Sequence, residues 1–327
     1  MGTVRLARLP ATAQVGLFAA SPGDVTLRPV GLGASTTEVR FTQATAVFDH
    51  VRVEGARADT WSRDTVGELG HTDWEKYHRA PGLVAAGDTL TVTGSGDIGP
   101  IGTEGGRQVE DTLAGLAAGM MVLMMAAVRF ATAEFRPGRA GDGAAYGGRI
   151  LAAKAVVIGA VAFLTGLFAA GVALPVVTAI TRAGGTSVSP VGAVTELRVI
   201  VGAAALLATA AVLALTLGAL LRRIWPAALL ATAALPLPYL LGVLPLLPDD
   251  AAQWLLRLSP AAGFAITQTL QEYPQAVAHY VPSAGYFPLP GWAGLAVLCG
   301  YAAAAFGIAV SRLRRRTAAT PPPAQWR

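Results

Sequence analysis

The sequence predicts a mainly α, polytopic membrane protein with five transmembrane helices and an N-terminal all-β partial sandwich. Three observations carry this. Of 327 residues, 53% are hydrophobic and only 14% charged, with a mean hydropathy of +0.51; a soluble domain carries roughly 25% charge. Charge is also unevenly placed: residues 1–111 hold 10 basic and 14 acidic side chains, whereas residues 112–327 hold 15 basic and 6 acidic ones. Finally, the second part contains five apolar stretches of the length that a helix needs to cross a bilayer, about 20 residues.

The first 111 residues alternate as strands do. Gln14–Ala19, Val25–Val30, Thr37–Thr42, Ala46–Val53 and Thr89–Thr93 are rich in Val, Thr, Leu and Phe. Turn residues separate them: Ser21-Pro22-Gly23-Asp24, Gly31–Ser35, Gly55 and Ala86-Gly87-Asp88. Five strands are too few to close a sandwich, so half of one is expected.

The spans follow in order. Thr112–Val128 is charge-free and ends at Arg129, which can extend its guanidinium to the interface. Ala155–Thr181 and Val199–Leu221 are charge-free for 27 and 23 residues. Ile224–Pro248 carries Pro236, Pro238 and Pro245, which predict a kinked or broken helix. Gly291–Ser311 is flanked by Trp292 and Arg312. The spans are thus expected at about 112–130, 153–180, 199–221, 224–247 and 291–311. Gly115-x-x-x-Gly119 gives the first one a face of small residues, suited to packing within the subunit, the reading favoured here, or to dimer contact.

Orientation follows the cations of the short loops. Arg129, Arg136, Arg139, Arg149, Lys154, Arg222, Arg223, Arg312, Arg314, Arg315 and Arg316 fall on one side, and only Arg182, Arg198 and Arg257 on the other. The C-terminus is therefore expected in the cytoplasm and residues 1–111 outside a plasma membrane. An exported N-terminal part needs a signal peptide or an earlier anchor. Arg5 and Arg8 precede an apolar stretch ending at Ala19-Ala20, but Pro10, Thr12 and Gln14 interrupt it, so the expectation is a chain that begins downstream of a further span.

Several chemistries are disfavoured. A phosphate-binding loop needs Gly-Lys-Ser/Thr, and the only lysines are Glu75-Lys76 and Ala153-Lys154, so any ATP must be bound by a partner. Gly94-x-Gly96-x-x-Gly99 fits the dinucleotide pattern in letters, but Pro100, Gly102, Gly105 and Gly106 follow where a helix should start, and a linker is the better reading. Asp64 with Glu68, and Asp73 with Glu75, read as solvated loop carboxylates, with no paired-carboxylate run of a glycosidase. Trp61, Trp74 and Tyr77 suit a core better than a sugar platform. His71 and His78 flank Asp73 and Glu75 without a recognised ligand spacing, so no metal and no other cofactor is expected. The basic balance reflects loop arginines and implies no nucleic acid. Cys299 is the only cysteine, so no intrachain disulfide forms. Asp249-Asp250 reads as a helix N-cap. Residues 249–290 are expected to form two short helices broken at Ser259-Pro260, with Tyr273, Tyr280, Tyr286, Phe287 and Trp292 as an interfacial aromatic belt.

A resemblance adds to this. Leu9–Pro22 and Ala46–Val53 resemble the C-terminal half of a concanavalin-A-like jelly-roll module. Gly87–Ile98, Leu151–Val161, Ala252–Arg257, Ser259–Ile266, Gln271–Gln275 and Pro290–Tyr301 resemble, in order and spacing, actinobacterial ABC-2 type permeases that carry such a module between their first two spans. The resemblance implies an extracytoplasmic partial jelly-roll sandwich at 1–83, a strand and Gly-rich linker at 84–111, a permease membrane domain at 112–316 and a cytoplasmic tail at 317–327. It implies no enzyme activity, an ATP-binding subunit and a second permease copy as partners, and membrane lipid around both. It also implies that the outer loop lies at the outer interface or dips partly into the membrane.

The same resemblance gives the loop 131–149 a role, as the place where an interfacial helix docks on the ATP-binding subunit. The matching positions are Thr132, Glu134, Phe135, Arg136 and Arg149. Here Pro137, Gly138, Gly141, Gly143, Gly147 and Gly148 depart from the pattern, and each glycine costs about 1 kcal/mol in a helix. From the residues alone, a plain cytoplasmic loop rich in cations is the better reading, and only the resemblance makes docking its equal. The function expected is a transport subunit for a bulky or amphipathic substrate, since ion paths need ionisable groups within the spans. The alternative is a membrane-anchored surface binding or sensor protein with a carbohydrate-binding-like domain.

Overall fold

The computed structural model describes residues 16–21, 24–30, 34–40, 43–51, 82–95, 109–113, 115–133, 148–183, 191–244, 246–269 and 280–319. The chain divides into two compact units, residues 1–26 with 38–105, and residues 27–37 with 106–327.

Strands β1 (Asp24–Val30) and β2 (Ala34–Arg40) form a two-stranded sheet. Strands β3 (Gln43–Asp49), β4 (Gly82–Ala86) and β5 (Thr89–Ser95) form an antiparallel sheet in the order β3-β5-β4. The β4–β5 hairpin turns on Gly87 and Asp88; Gly87 has φ 61, which lets two residues close the turn with Ala86 opposite Thr89. β4 was not foreseen as a strand, because its sequence Gly-Leu-Val-Ala-Ala lacks period-2 polarity. The strand expected at 14–19 is absent over residues 16–20. That segment crosses the end of β5, where any side chain at Gly94 would run into the Ala19 carbonyl oxygen. A second, packed β layer is not part of the described residues, and Trp61, His71, Trp74, Tyr77, His78 and the carboxylates near them lie outside these.

From residue 106 onward the second unit, called the membrane unit below, is helical: α1 (Leu116–Thr132), α2 (Gly148–Ala183), α3 (Ala193–Leu221), α4 (Ile224–Ala234), α5 (Pro236–Val243), α6 (Asp249–Leu258) and α7 (Gly291–Ala319). Short 3-10 turns lie at Val109–Leu113 and Pro260–Thr267. Four helices are long and apolar enough to cross a membrane: α2, α3, the α4–α5 pair and α7. The first expected span is a shorter helix of 17 residues, because Thr112 and Leu113 belong to the preceding 3-10 turn. α2 and α3 begin earlier than expected, so Arg149, Glu196 and Arg198 are helical. α7 runs to Ala319, into the expected tail.

The predicted proline break is present. Leu235 leaves the helical region (φ −124, ψ −64) and Pro236 opens α5 at its first position. Pro236 and Pro238 have no N–H to give the carbonyls of Thr232 and Ala234, and a first-turn position is where this loss costs least. The break at Ser259-Pro260 is also present, between α6 and the 3-10 turn. Asp249 and Asp250 are not N-caps: Pro248 is the cap residue, and the two carboxylates sit in the first turn, where they favour the positive end of the helix dipole.

α3 is the core. Leu206, Ala210, Ala211, Ala214 and Leu215 are buried against α1, α2 and α7. Glycine sets the closeness. A Cβ at Gly166 of α2 would lie 3.0 Å from the Ala204 Cα, and one at Gly263 would lie 2.8 Å from Leu298 of α7. In contrast, α2 exposes Val156, Val161, Leu164, Phe168, Val172, Val176 and Ile180 along its length, which suits contact with lipid chains.

Candidate functional site

The charged side chains of the described helices collect toward their two ends. At one end, α1 finishes, α2 begins, α3 turns into α4, and α7 finishes. Three contacts bring these together. A Cβ at Gly218 of α3 would lie 2.9 Å from the Ala131 Cβ and 3.2 Å from the Val128 carbonyl, so α1 and α3 touch backbone to backbone. A Cβ at Gly148, the first residue of α2, would lie 3.0 Å from Val310 of α7. Lys154 of α2 places its Nζ 3.3 Å from the Phe130 carbonyl oxygen of α1 and 4.8 Å from the centre of its ring. The ammonium thereby answers a carbonyl at the negative end of α1 and the face of an aromatic ring at once.

Arg129, Arg149, Lys154, Arg222, Arg223, Arg312, Arg314 and Arg315 occupy this end, and no acidic side chain accompanies them among the described residues. The α3–α4 turn is tight. Arg222 takes a left-handed conformation (φ 54) and donates its N–H to the Gly218 carbonyl at 2.9 Å. Glycine usually fills such a position at lower cost.

The residues singled out for partner docking distribute unevenly here. Thr132 is buried at 4% exposure, and its hydroxyl donates to the carbonyl of Val128 at 2.9 Å within its own helix. It therefore presents no hydroxyl to a partner; its β-branched side chain packs inward, as the last turn of α1 meets α3. Arg149 is exposed in the first turn of α2. Glu134, Phe135 and Arg136 lie outside the described residues. Gly115 and Gly119 face open space, with no described atom within 4 Å of a Cβ at either position. Among the described residues, no packing within the subunit involves these two glycines. Gly218 makes that contact instead, and the signal for it was present in Ala214-x-x-x-Gly218, inside a charge-free span.

The opposite end is built around the segment 249–290. Arg198, in the second turn of α3, donates to the Gln268 carbonyl oxygen, and the Gln268 side chain accepts the Phe287 N–H at 2.7 Å. Arg198 thus ties α3 to the exit of the 3-10 turn, and Gln268 ties that exit to the approach of α7. Arg257 of α6 donates to the Pro288 carbonyl at 3.4 Å and lies 5.3 Å from the Trp254 ring. Tyr239 stacks on Phe264 at 4.0 Å and on Phe287 at 6.2 Å. Phe287 is buried in this stack, which corrects its expected place in an interfacial belt. Trp292 is exposed, and Tyr280 meets Tyr286 edge to face at 5.2 Å; Tyr273 lies outside the described residues. The arrangement of this end was missed from the sequence, because Arg198 and Gln268 are 70 residues apart.

No family model, no curated protein and no solved structure matches the chain. The site is therefore read from its own geometry: a multi-helix apolar bundle with one strongly cationic end. There the two helices that bracket residues 134–147 are tied together by Lys154 and Phe130.

Proposed function

We propose that this chain is the membrane-spanning permease subunit of an ABC-2 type transporter, with ATP hydrolysed by a separate subunit. On this reading α1 to α7 supply five spans, the cationic end faces the cytoplasm, and the N-terminal strands are part of an extracytoplasmic jelly-roll module. The observation that carries the reading is the tie between Lys154 and Phe130. It fixes where residues 134–147 leave and re-enter the bundle, at the end rich in cations, and gives a docking loop a firm base. Arg149 is the described residue best placed to meet the partner; Glu134, Phe135 and Arg136 are proposed with it. A second permease copy completes the path. Charge-free stretches such as 155–181 and 199–221 suit a bulky or amphipathic substrate better than a small ion.

The test is tagged co-purification from detergent-solubilised membranes, assayed for vanadate-sensitive ATP hydrolysis. An ATP-binding subunit that arrives with the chain, and is lost on Arg149→Glu, supports the proposal. A chain that purifies without any ATPase from its native membrane overturns it.

A further inference from the structure

We propose that the corner where α1 ends and α4 begins binds the headgroup of an anionic phospholipid. Arg129 and Arg223 would hold its phosphodiester, and Trp225 would sit at the level of its ester groups. The contact of Gly218 with Val128 and Ala131 places the last turn of α1 beside the last turn of α3. Arg129 lies in that turn of α1, and Arg223 follows the end of α3 by two residues, as the cap residue of α4. Both side chains are exposed, and neither guanidinium has an ion-pair or hydrogen-bond partner among the described residues. The turn that presents Arg223 is held by the left-handed Arg222, a conformation that a flexible surface loop has no reason to keep.

Each arginine stands at the polar end of an exposed apolar stripe. On α1, Val122 lies seven residues before Arg129 on the same helix face and is 72% exposed. On α4, Trp225 and Leu229 follow one turn apart, at 71% and 69% exposure. A phosphodiester carrying two acyl chains matches this arrangement: anionic charge for two guanidinia, an interfacial level for an indole, and hydrocarbon along both helices. An acidic protein surface would answer the arginines and leave Trp225 and Leu229 unmatched. The inference needs only that this end lies at a membrane surface, so it stands apart from the transport reading.

The full chain, purified in detergent, is titrated with phosphatidylglycerol or with phosphatidylcholine of the same acyl chains, and bound lipid is counted by native mass spectrometry. Phosphatidylglycerol is expected to bind about thirtyfold more tightly, and R129Q/R223Q to remove that preference, since two surface cations contribute about 1 kcal/mol each toward anionic lipid. R129K/R223K should retain most of it, and R312Q/R315Q, in the last turns of α7, should lower it far less than R129Q/R223Q does. Trp225→Ala, which leaves both charges in place, should lower occupancy by both lipids. Equal binding of the two lipids, or an equal fall in the two glutamine variants, would overturn the site. So would an R129Q/R223Q chain that keeps its lipid and loses a co-purifying protein; the corner would then be a protein contact.

Discussion

The Tyr301 hydroxyl donates a 2.7 Å hydrogen bond to the Leu258 carbonyl, joining α7 to the point where α6 stops. α6 ends because Ser259 is extended (φ −85, ψ 163) and Pro260 has no N–H to offer. Its last carbonyls are left without helical partners, and among apolar helices an unanswered carbonyl is costly. Tyr301→Phe keeps the ring and removes the donor. It should lower stability by about 1 kcal/mol in thermal unfolding of the detergent-purified chain, whereas an unchanged midpoint would show that Leu258 finds water.

Gly218 and Gly119 make a matched pair. Gly218→Ala drives a methyl into Ala131 and the Val128 carbonyl and should cost about 1–3 kcal/mol. Gly119→Ala meets no described atom of the subunit and improves helix propensity, so it should be neutral or stabilising by up to about 1 kcal/mol. A large loss at Gly119 in the assembled protein, absent from the monomer, would instead place a second copy on that face.

Lys154→Met removes both the carbonyl contact and the cation over the Phe130 ring, at a cost of about 1 kcal/mol. Phe130→Leu removes only the second. If the tie positions the ends of the 134–147 segment, limited proteolysis should cut that segment faster in Lys154→Met than in Phe130→Leu, with Lys154→Arg close to the parent.

Gln268→Ala removes the acceptor for the Phe287 N–H. Amide hydrogen exchange at Phe287 should accelerate by about fivefold to tenfold, the equivalent of one hydrogen bond near 1 kcal/mol. Equal exchange in parent and variant would mean that the backbone there is protected by something other than this side chain.

Cys299 is exposed eight residues into α7, about 12 Å from its start. The charge of a charged thiol reagent keeps it out of hydrocarbon, where an unpaired ion is costly. A charged maleimide should therefore leave Cys299 unmodified in vesicles and react after denaturation in detergent. Fast labelling in intact vesicles would show that this face of α7 is wet.

Apolar runs and proline made the helices legible. The break at Pro236 and the stop at Ser259-Pro260 stand where the missing N–H groups put them. Helix ends were less legible: α2 starts at Gly148, because burial against Val310 outweighs the low helix propensity of glycine. In the strands, β5 showed its alternation, while β4 took its place by pairing with β5. Of the candidate site, the clustering of cations at one end was visible in loop composition. The orientation of individual side chains was not. Thr132 turned inward because its hydroxyl has a carbonyl one turn back, and Gly115 and Gly119 meet no described atom because α3 contacts another face of α1.

The left-handed Gly87 has a wider effect than closing one turn. With two residues in the loop, Leu90 pairs with Phe48 and Ala85 on one face, and Thr91 pairs with Val47 and Val84 on the other. A residue without positive φ at position 87 favours a longer loop, and a slip of one residue exchanges the two faces of β5. Leu90, now 7% exposed, would join the side where Val47 and Val84 are 65% and 64% exposed. A single dihedral angle thus decides which side of the three-stranded sheet sheds water and which side meets it.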